Sequence, residues 1–280
     1  MGFFKTCEIR DAQEIYGFSH QGVFAKEPIK KGESIFRCDL SLCDYLQIED
    51  WDSAKTREET LEMFEKYPES RDFMHKYCYM VEDDLFDWPR NYIEQTISEG
   101  CMYFNHSCDP NCGFLAIDTS LVVAIRDIEP GEELTYDYQC MDTEASFYAG
   151  LNCKCGSFKC RGVLSFDFYR NLDWQKAYYK YSSANVQRKI DELKTKWYTS
   201  RCILKYYKTD DNNRELGLTV FKKIRKDDLV ASFSDKNNIC RDAHNIRHSD
   251  QPTCYLVDNE VFASNTYEPN TELTLNYNLI

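Results

Sequence analysis

The stretch "FNHSCDPNCGF", residues 104–114, sets Asn, His, Ser and Cys side by side and then turns through Asp-Pro-Asn into a second cysteine. Neither a helix nor a strand face selects such a run, because Asn, Ser and Asp bond their own backbone in turns and Pro110 cannot donate to a ladder. These residues are ligands, bases and turn formers, so chemistry rather than packing accounts for them. Downstream, "NCKCGSFKCRG" supplies Cys153, Cys155 and Cys160 in CxCxxxxC spacing, short enough to wrap one ion. Tetrahedral zinc takes four ligands, and the candidates for the fourth are Cys108 and Cys112 in the first stretch. A ligand from so remote a segment would tie the tail of a domain onto its centre and contribute to folding. Four thiolates would close the metal to water, which argues against a zinc hydrolase.

A metal is the first reading because of the compartment. The start "MGFFKTCEIRD" lacks the apolar core of a signal peptide, and no apolar run approaches the roughly 20 residues of a membrane span. The expected location is therefore intracellular, nuclear or cytoplasmic, where fourteen cysteines are kept reduced and do not form a disulfide framework. Met1-Gly2 with Thr6 also fits the loose myristoylation pattern, against the plainer reading of a first β-strand. The formal charge is -13, from 34 basic and 47 acidic residues. That balance disfavours direct nucleic-acid or membrane binding and suits a basic partner such as a lysine-rich peptide, or simply a solvated acidic surface.

Around these motifs the pattern is β-rich. "GVFAKEPIKKGESIF" from Gly22 reads as short strands punctuated by Pro28 and Gly32, and "LVVAIRDI" from Leu121 as a buried strand before the turn "PGEEL" and "TYDY". Residues 41–100 read instead as a helical insertion. Thr56 and Glu59 make a capping box for a helix that Pro68 stops, and 70–80 and 91–99 are further helix candidates. After the cysteine cluster, Val186, Ile190, Leu193 and Trp197 recur at helical spacing and predict one buried stripe.

The chain also repeats itself. "GLTVFKKIRKDDLVA" from Gly217 lies without gaps over the stretch from Gly22; "HSDQPTC" from His248 lies over "HSCDPNC" from His106, and "EPNTELTLNY" from Glu268 over "EPGEELTYDY" from Glu129. Three matches in the same order mark the last hundred residues as a shortened second copy, without the insertion or the cysteine cluster.

The combination of "HQGVFA", "NHSCDPN", "GEELTYDY" and "CKCGSFKC", in this order across residues 15–165, resembles the SET-domain protein lysine methyltransferases with a post-SET zinc motif. The resemblance implies an α+β, mostly β fold: a β-clip with a pseudoknot, in residues 1–140, holding the helical insertion of about 41–100. A post-SET zinc segment (141–168), a helical linker (169–199) and a degenerate SET-like domain (200–280) would follow. It implies S-adenosylmethionine as methyl donor, with Gly22, Val23 and Phe24 offering backbone contacts and Asn105 and His106 holding the donor from the other side. Tyr138 takes the catalytic tyrosine's place, and Tyr136 the position tied to the number of methyl groups added, where tyrosine favours fewer. Cys108, Cys153, Cys155 and Cys160 match the zinc ligands. The implied activity is protein-lysine N-methylation of histone tails or another lysine-rich protein; the alternative is an inactive scaffold for protein-protein interaction.

The chain departs from the family pattern in three places. His20 replaces the first glycine of the glycine motif, and Met102 replaces a commoner arginine. In the second copy Arg247, Asp250 and Leu275 stand for Asn105, Cys108 and Tyr136, although Tyr277 persists, so only one working site is expected.

Overall fold

The computed structural model describes residues 2–17, 19–38, 54–97, 100–115, 118–209, 213–233 and 245–280, with only the backbone described at 118–120. It is α+β and mostly β, and it divides into two compact units, residues 1–81 with 85–187 and residues 82–84 with 188–280.

In the first unit Cys7–Asp11 and Gln21–Ala25 form an antiparallel hairpin with Arg10 opposite Gly22. A three-stranded antiparallel sheet places Asp118–Ala124 between Ser34–Arg37 and Cys112–Leu115. Continuous apolar burial drives these strands: Val23, Ile35, Phe36 and Val122 are buried with Ile29, Phe104 and Leu134 in one core. The element that matters for function is small. Asn105–His106 pairs in parallel with Thr135–Tyr136, so two remote pieces of chain lie side by side, followed by a short 3-10 turn over Tyr138–Cys140.

Within the expected helical insertion, the capping box forms as read: Glu59 N–H donates to Thr56 Oγ1 at 3.2 Å and Thr56 N–H to Glu59 Oε2 at 2.9 Å, opening the helix Arg57–Lys66. A second helix runs Arg71–Tyr77. Three differences follow. The insertion is not purely helical, because Lys55–Thr56, Leu85–Asp87 and Tyr79–Glu82 form a small antiparallel sheet. Residues 91–95 form turns rather than a helix. Asn91 Nδ2 donates to Thr96 Oγ1 at 2.8 Å and to the Thr96 carbonyl, bonds that compete with helical ones. Residues 41–53 and 98–99 lie outside the described residues.

The stripe after the cysteines is also shorter than its spacing suggests. The helix Ala184–Glu192 buries Val186 and Ile190, but Trp197 sits on the strand Lys196–Tyr198. A turn at Leu193–Thr195 ends the helical period.

The second unit repeats the first unit's pairings. The hairpin Cys202–Lys208/Arg214–Val220 sets Cys202 opposite Val220, as Cys7 stands opposite Ala25. Arg247–His248 pairs in parallel with Thr274–Leu275, and bridges Thr219–Glu272 and Ile224–Tyr267 match Phe24–Glu133 and Ile29–Ile128. Asp227 (φ 64°) and Asn270 (φ 71°) stand in the left-handed conformation where the first copy has Gly32 (φ 88°) and Gly131 (φ 89°). Asp and Asn tolerate that region best among residues with a side chain, so the two turns keep their shape without glycine.

Candidate active site and metal centre

Gly22 sits on the strand Gln21–Ala25 where a side chain would have to displace the end of Glu133. A Cβ there would lie 2.3 Å from Glu133 Oε1 and 3.0 Å from Asn105 Nδ2. The amide of Asn105 is fully used: Nδ2 donates to the Gln21 carbonyl (2.9 Å) and to Glu133 Oε1 (2.7 Å), and Oδ1 meets His20 Nε2 at 2.7 Å. Since Oδ1 can only accept, His20 carries its proton on Nε2. Tyr16 O–H donates to the other Glu133 oxygen at 3.0 Å, and its ring stands edge-on to His20. Burial holds the Glu133 carboxyl above its usual range, against the bonds from Asn105 and Tyr16. His20, the residue that departs from the glycine pattern, is therefore built into this polar node. Val23 and Phe24 turn their side chains into the core, and Val23 gives its carbonyl to Leu134 N–H.

The tyrosines come from the second strand of the parallel pair and the turn that follows it. Tyr138 O–H donates to the Phe104 carbonyl at 3.3 Å, and its ring packs against Tyr136 (4.9 Å between centroids) and Tyr148 (5.7 Å). Phe114 meets Tyr136 edge-on at 5.0 Å, and Tyr148 O–H donates to the Lys76 carbonyl. Burial pushes the phenols of Tyr136, Tyr138 and Tyr148 well up and that of Tyr77 to about 12, so all four stay neutral. A neutral phenol orients a partner through its hydroxyl; it is no base near neutral pH.

Below the pair gather the thiols. The ligand atoms of His106, Cys108, Cys153 and Cys155 lie within 4.8 Å of one another, with Cys108 and Cys153 sulfurs 3.7 Å apart. Cys160 is at the exposed rim, its sulfur 3.9 Å from the Cys153 carbonyl and accepting Gly162 N–H at 3.4 Å. Cys112 is not part of the group; it is buried in the core beside Asn111 Oδ1. Distance alone would give the fourth place to His106, but its tautomer argues otherwise. Nδ1 accepts Tyr138 N–H at 3.2 Å, whereas Asp137 Oδ1, at 3.6 Å, is too far for a hydrogen bond. In a neutral ring the proton is then on Nε2, 3.3 Å from the Cys108 sulfur, so that this N–H faces the sulfur. Burial lowers the pKa of His106 to about 4, which keeps the ring neutral.

The second copy supports this reading. Tyr277 N–H again meets the histidine Nδ1 (His248, 3.2 Å), but the anion 3.4 Å from Nε2 is Asp250, at the place of Cys108. Asp137 completes the centre. Fully buried, it takes a bidentate pair from Arg161 (2.7 and 2.9 Å), Trp174 Nε1–H (3.0 Å) and Gln139 N–H (3.2 Å). Arg161 N–H also donates to the Cys108 sulfur at 3.4 Å, so the cysteine loop is fastened both to the tyrosine turn, through Asp137, and to the turn that carries Cys108.

A family model described as "SET domain" matches residues 20–139. Residues 20–139 are a SET domain. Histone-lysine N-methyltransferase TRX1 of Oryza sativa is 44% identical over 66 residues, 22% of this chain and 6% of that protein. The H3 lysine-9 specific histone-lysine N-methyltransferase of Schizosaccharomyces pombe is 35% identical over 108 residues, 31% of this chain and 22% of the relative. The chain thus spans less than a quarter of the length of either relative. Among solved structures, that of DIM-5, a Neurospora histone lysine methyltransferase, is 23% identical with a TM-score of 0.32, covering 49% of this chain and 53% of the other.

Sequence reading passed over Tyr16, Tyr77, Glu133, Asp137, Tyr148 and Arg161. Three of them carried a signal, since Glu133 and Asp137 lie inside "GEELTYDY" and Arg161 directly follows Cys160. Tyr77 and Tyr148 carried none, because only folding brings them near Tyr138. In the second copy the corresponding node is filled: Arg247 pairs with both Glu272 oxygens and lies 4.8 Å over the Tyr207 ring.

Proposed function

We propose that the chain is an S-adenosylmethionine-dependent protein-lysine N-methyltransferase acting on a lysine-rich protein such as a histone tail in the nucleus, with one working site. The observation that carries this reading is that one parallel pair, Asn105–His106 with Thr135–Tyr136, brings together a polar node at Asn105 and a cluster of neutral tyrosines at Tyr136 and Tyr138. The matched SET domain and relatives named as histone-lysine methyltransferases add to it.

The donor set fits the groups involved. Three clustered thiols with Cys160 at the rim suit a thiophilic ion such as zinc, with Cys108, Cys153, Cys155 and Cys160 as ligands and His106 and Arg161 donating to Cys108. Gly22, whose hydrogen leaves the strand backbone open beside Glu133 and Asn105, fits close approach of a small polar molecule. S-adenosylmethionine, when bound, supplies an electrophilic methyl carbon. Tyr138 and Tyr136 would orient the lysine amine through their hydroxyls, and their ring faces favour the cationic centre. The desolvated pocket lowers the lysine pKa from about 10.4, so that the amine loses its proton to water before attack. Alignment of amine and methyl then supplies roughly 7–11 kcal/mol of the barrier without acid-base help.

Calorimetric titration with S-adenosylmethionine and a methylation assay on a lysine-rich peptide array, read by mass spectrometry, test this. One donor per chain, with turnover lost but binding kept in Tyr138→Phe, is expected. No donor binding would leave the scaffold reading standing.

A further inference from the structure

The described cysteines fall into separate groups. Cys108, Cys153, Cys155 and Cys160 belong to the metal centre. Cys78, Cys112, Cys140, Cys202 and Cys254 are buried, and burial pushes up those thiols that shift, Cys254 to about 12, which makes them poor nucleophiles. Cys7 is half-buried and also raised, to about 11. Cys38 and Cys101 fit neither group. They lie 63 positions apart in the chain, yet their sulfurs are 3.3 Å apart, and both are partly exposed.

The backbone around them is held by independent packing. Gly100 leaves so little room that a Cβ would meet the Phe3 ring at 3.0 Å and the Phe36 ring at 3.1 Å. This presses the turn Gly100–Tyr103 against the strand Ser34–Arg37, just before Cys38. The Phe36 and Phe104 rings, 6.0 Å apart, continue the same contact. A disulfide needs sulfurs about 2.05 Å apart, so the pair has little more than 1 Å to close.

We propose that Cys38 and Cys101 are a redox site, forming a reversible disulfide by exchange with a low-molecular-weight disulfide of the glutathione type. One thiolate of the pair attacks a sulfur of the small disulfide, forming a mixed disulfide and releasing one small thiolate. The second thiolate then attacks the protein sulfur of that mixed disulfide and expels the other small thiolate. Two protein thiols are oxidised, one small disulfide is reduced to two thiols, and the protons lost by the cysteines end on those thiols. The link would join the end of Ser34–Arg37 to Gly100–Tyr103 and close the base of the chain between them. The next residue, Phe104, gives its carbonyl to Tyr138, so the link also fixes the backbone that Tyr138 bonds.

The test exposes the purified full chain to glutathione buffers running from reduced to oxidised, quenches with acid, alkylates free thiols and maps the peptides. The Cys38–Cys101 cross-linked peptide is expected to be the first intramolecular disulfide to appear, to raise the melting midpoint, and to vanish with dithiothreitol. Cys38→Ser is expected to melt like the reduced native chain and to show no oxidative shift. Recovery of Cys38 and Cys101 as separately alkylated or glutathione-capped peptides, in a buffer that has already oxidised the metal-centre cysteines, would overturn the proposal. Because the readouts are a peptide map and a melting curve, the result stands apart from whether the chain transfers methyl groups.

Discussion

Removing the Arg161 side chain should show how the cysteine loop is tied to the tyrosine turn. Asp137 has no exposed side-chain surface and Arg161 only 12%, and two bonds of 2.7 and 2.9 Å join them. In Arg161→Ala the carboxylate keeps Trp174 Nε1–H and Gln139 N–H but loses its only close cationic partner among the described residues. Leaving a buried charge in this way costs about 3–5 kcal/mol. Arg161 also lies 4.5 Å over the Phe168 ring, so its removal takes away packing as well as charge. Asp137→Asn separates the two causes, because the amide oxygen still accepts bonds while the charge is gone. The double variant should recover most of the loss if uncompensated charge dominates. Urea unfolding followed by Trp174-sensitive fluorescence, with hydrogen exchange at residues 137–162 to isolate the first unit from the second, gives the numbers. A loss below about 1 kcal/mol, or a double variant no better than Arg161→Ala, would refute the reasoning.

Asp142 is buried and accepts Met80 N–H (2.8 Å) and Ser146 O–H (2.6 Å), but desolvation outweighs these bonds and raises its pKa to about 6 from 3.8. Between those values the unfolded chain has lost the proton and the folded chain keeps it, so stability falls as pH rises from 3.8 to 6, by roughly 3 kcal/mol, then levels off. Asp142→Asn should flatten that part of a stability-versus-pH curve; an unchanged slope refutes the assignment. The two bonds of His106 can be separated by length: Asn keeps an acceptor near Nδ1, and Gln a donor near Nε2. His106→Asn should weaken metal retention against a chelator by roughly 10- to 100-fold, whereas His106→Gln should spare the metal and impair Tyr138-dependent turnover. Equal effects in both would mean the ring only fills space. Gly22→Ala forces Glu133 off Asn105 and should cost about 1–3 kcal/mol and weaken donor binding; calorimetry showing native affinity would contradict that.

The residues by themselves determined the parts of this protein whose signals are local. The capping box at Thr56, the turn-rich "NHSC", the thiol spacing from Cys153 and the internal repeat are each written in a few neighbouring positions, and hydrogen-bond chemistry and strand alternation act at that range. Tertiary structure decided the rest. Asn91 drew its segment into turns by bonding Thr96, and Trp197 left the helical stripe for a strand. The choice of His106 as a donor to Cys108 depended on which ring nitrogen meets Tyr138, and the pairings of Asp137 with Arg161 and of Cys38 with Cys101 join positions far apart in the chain. Such contacts leave no periodic trace, because they arise only when burial forces remote side chains to satisfy one another's charge, bonds and volume.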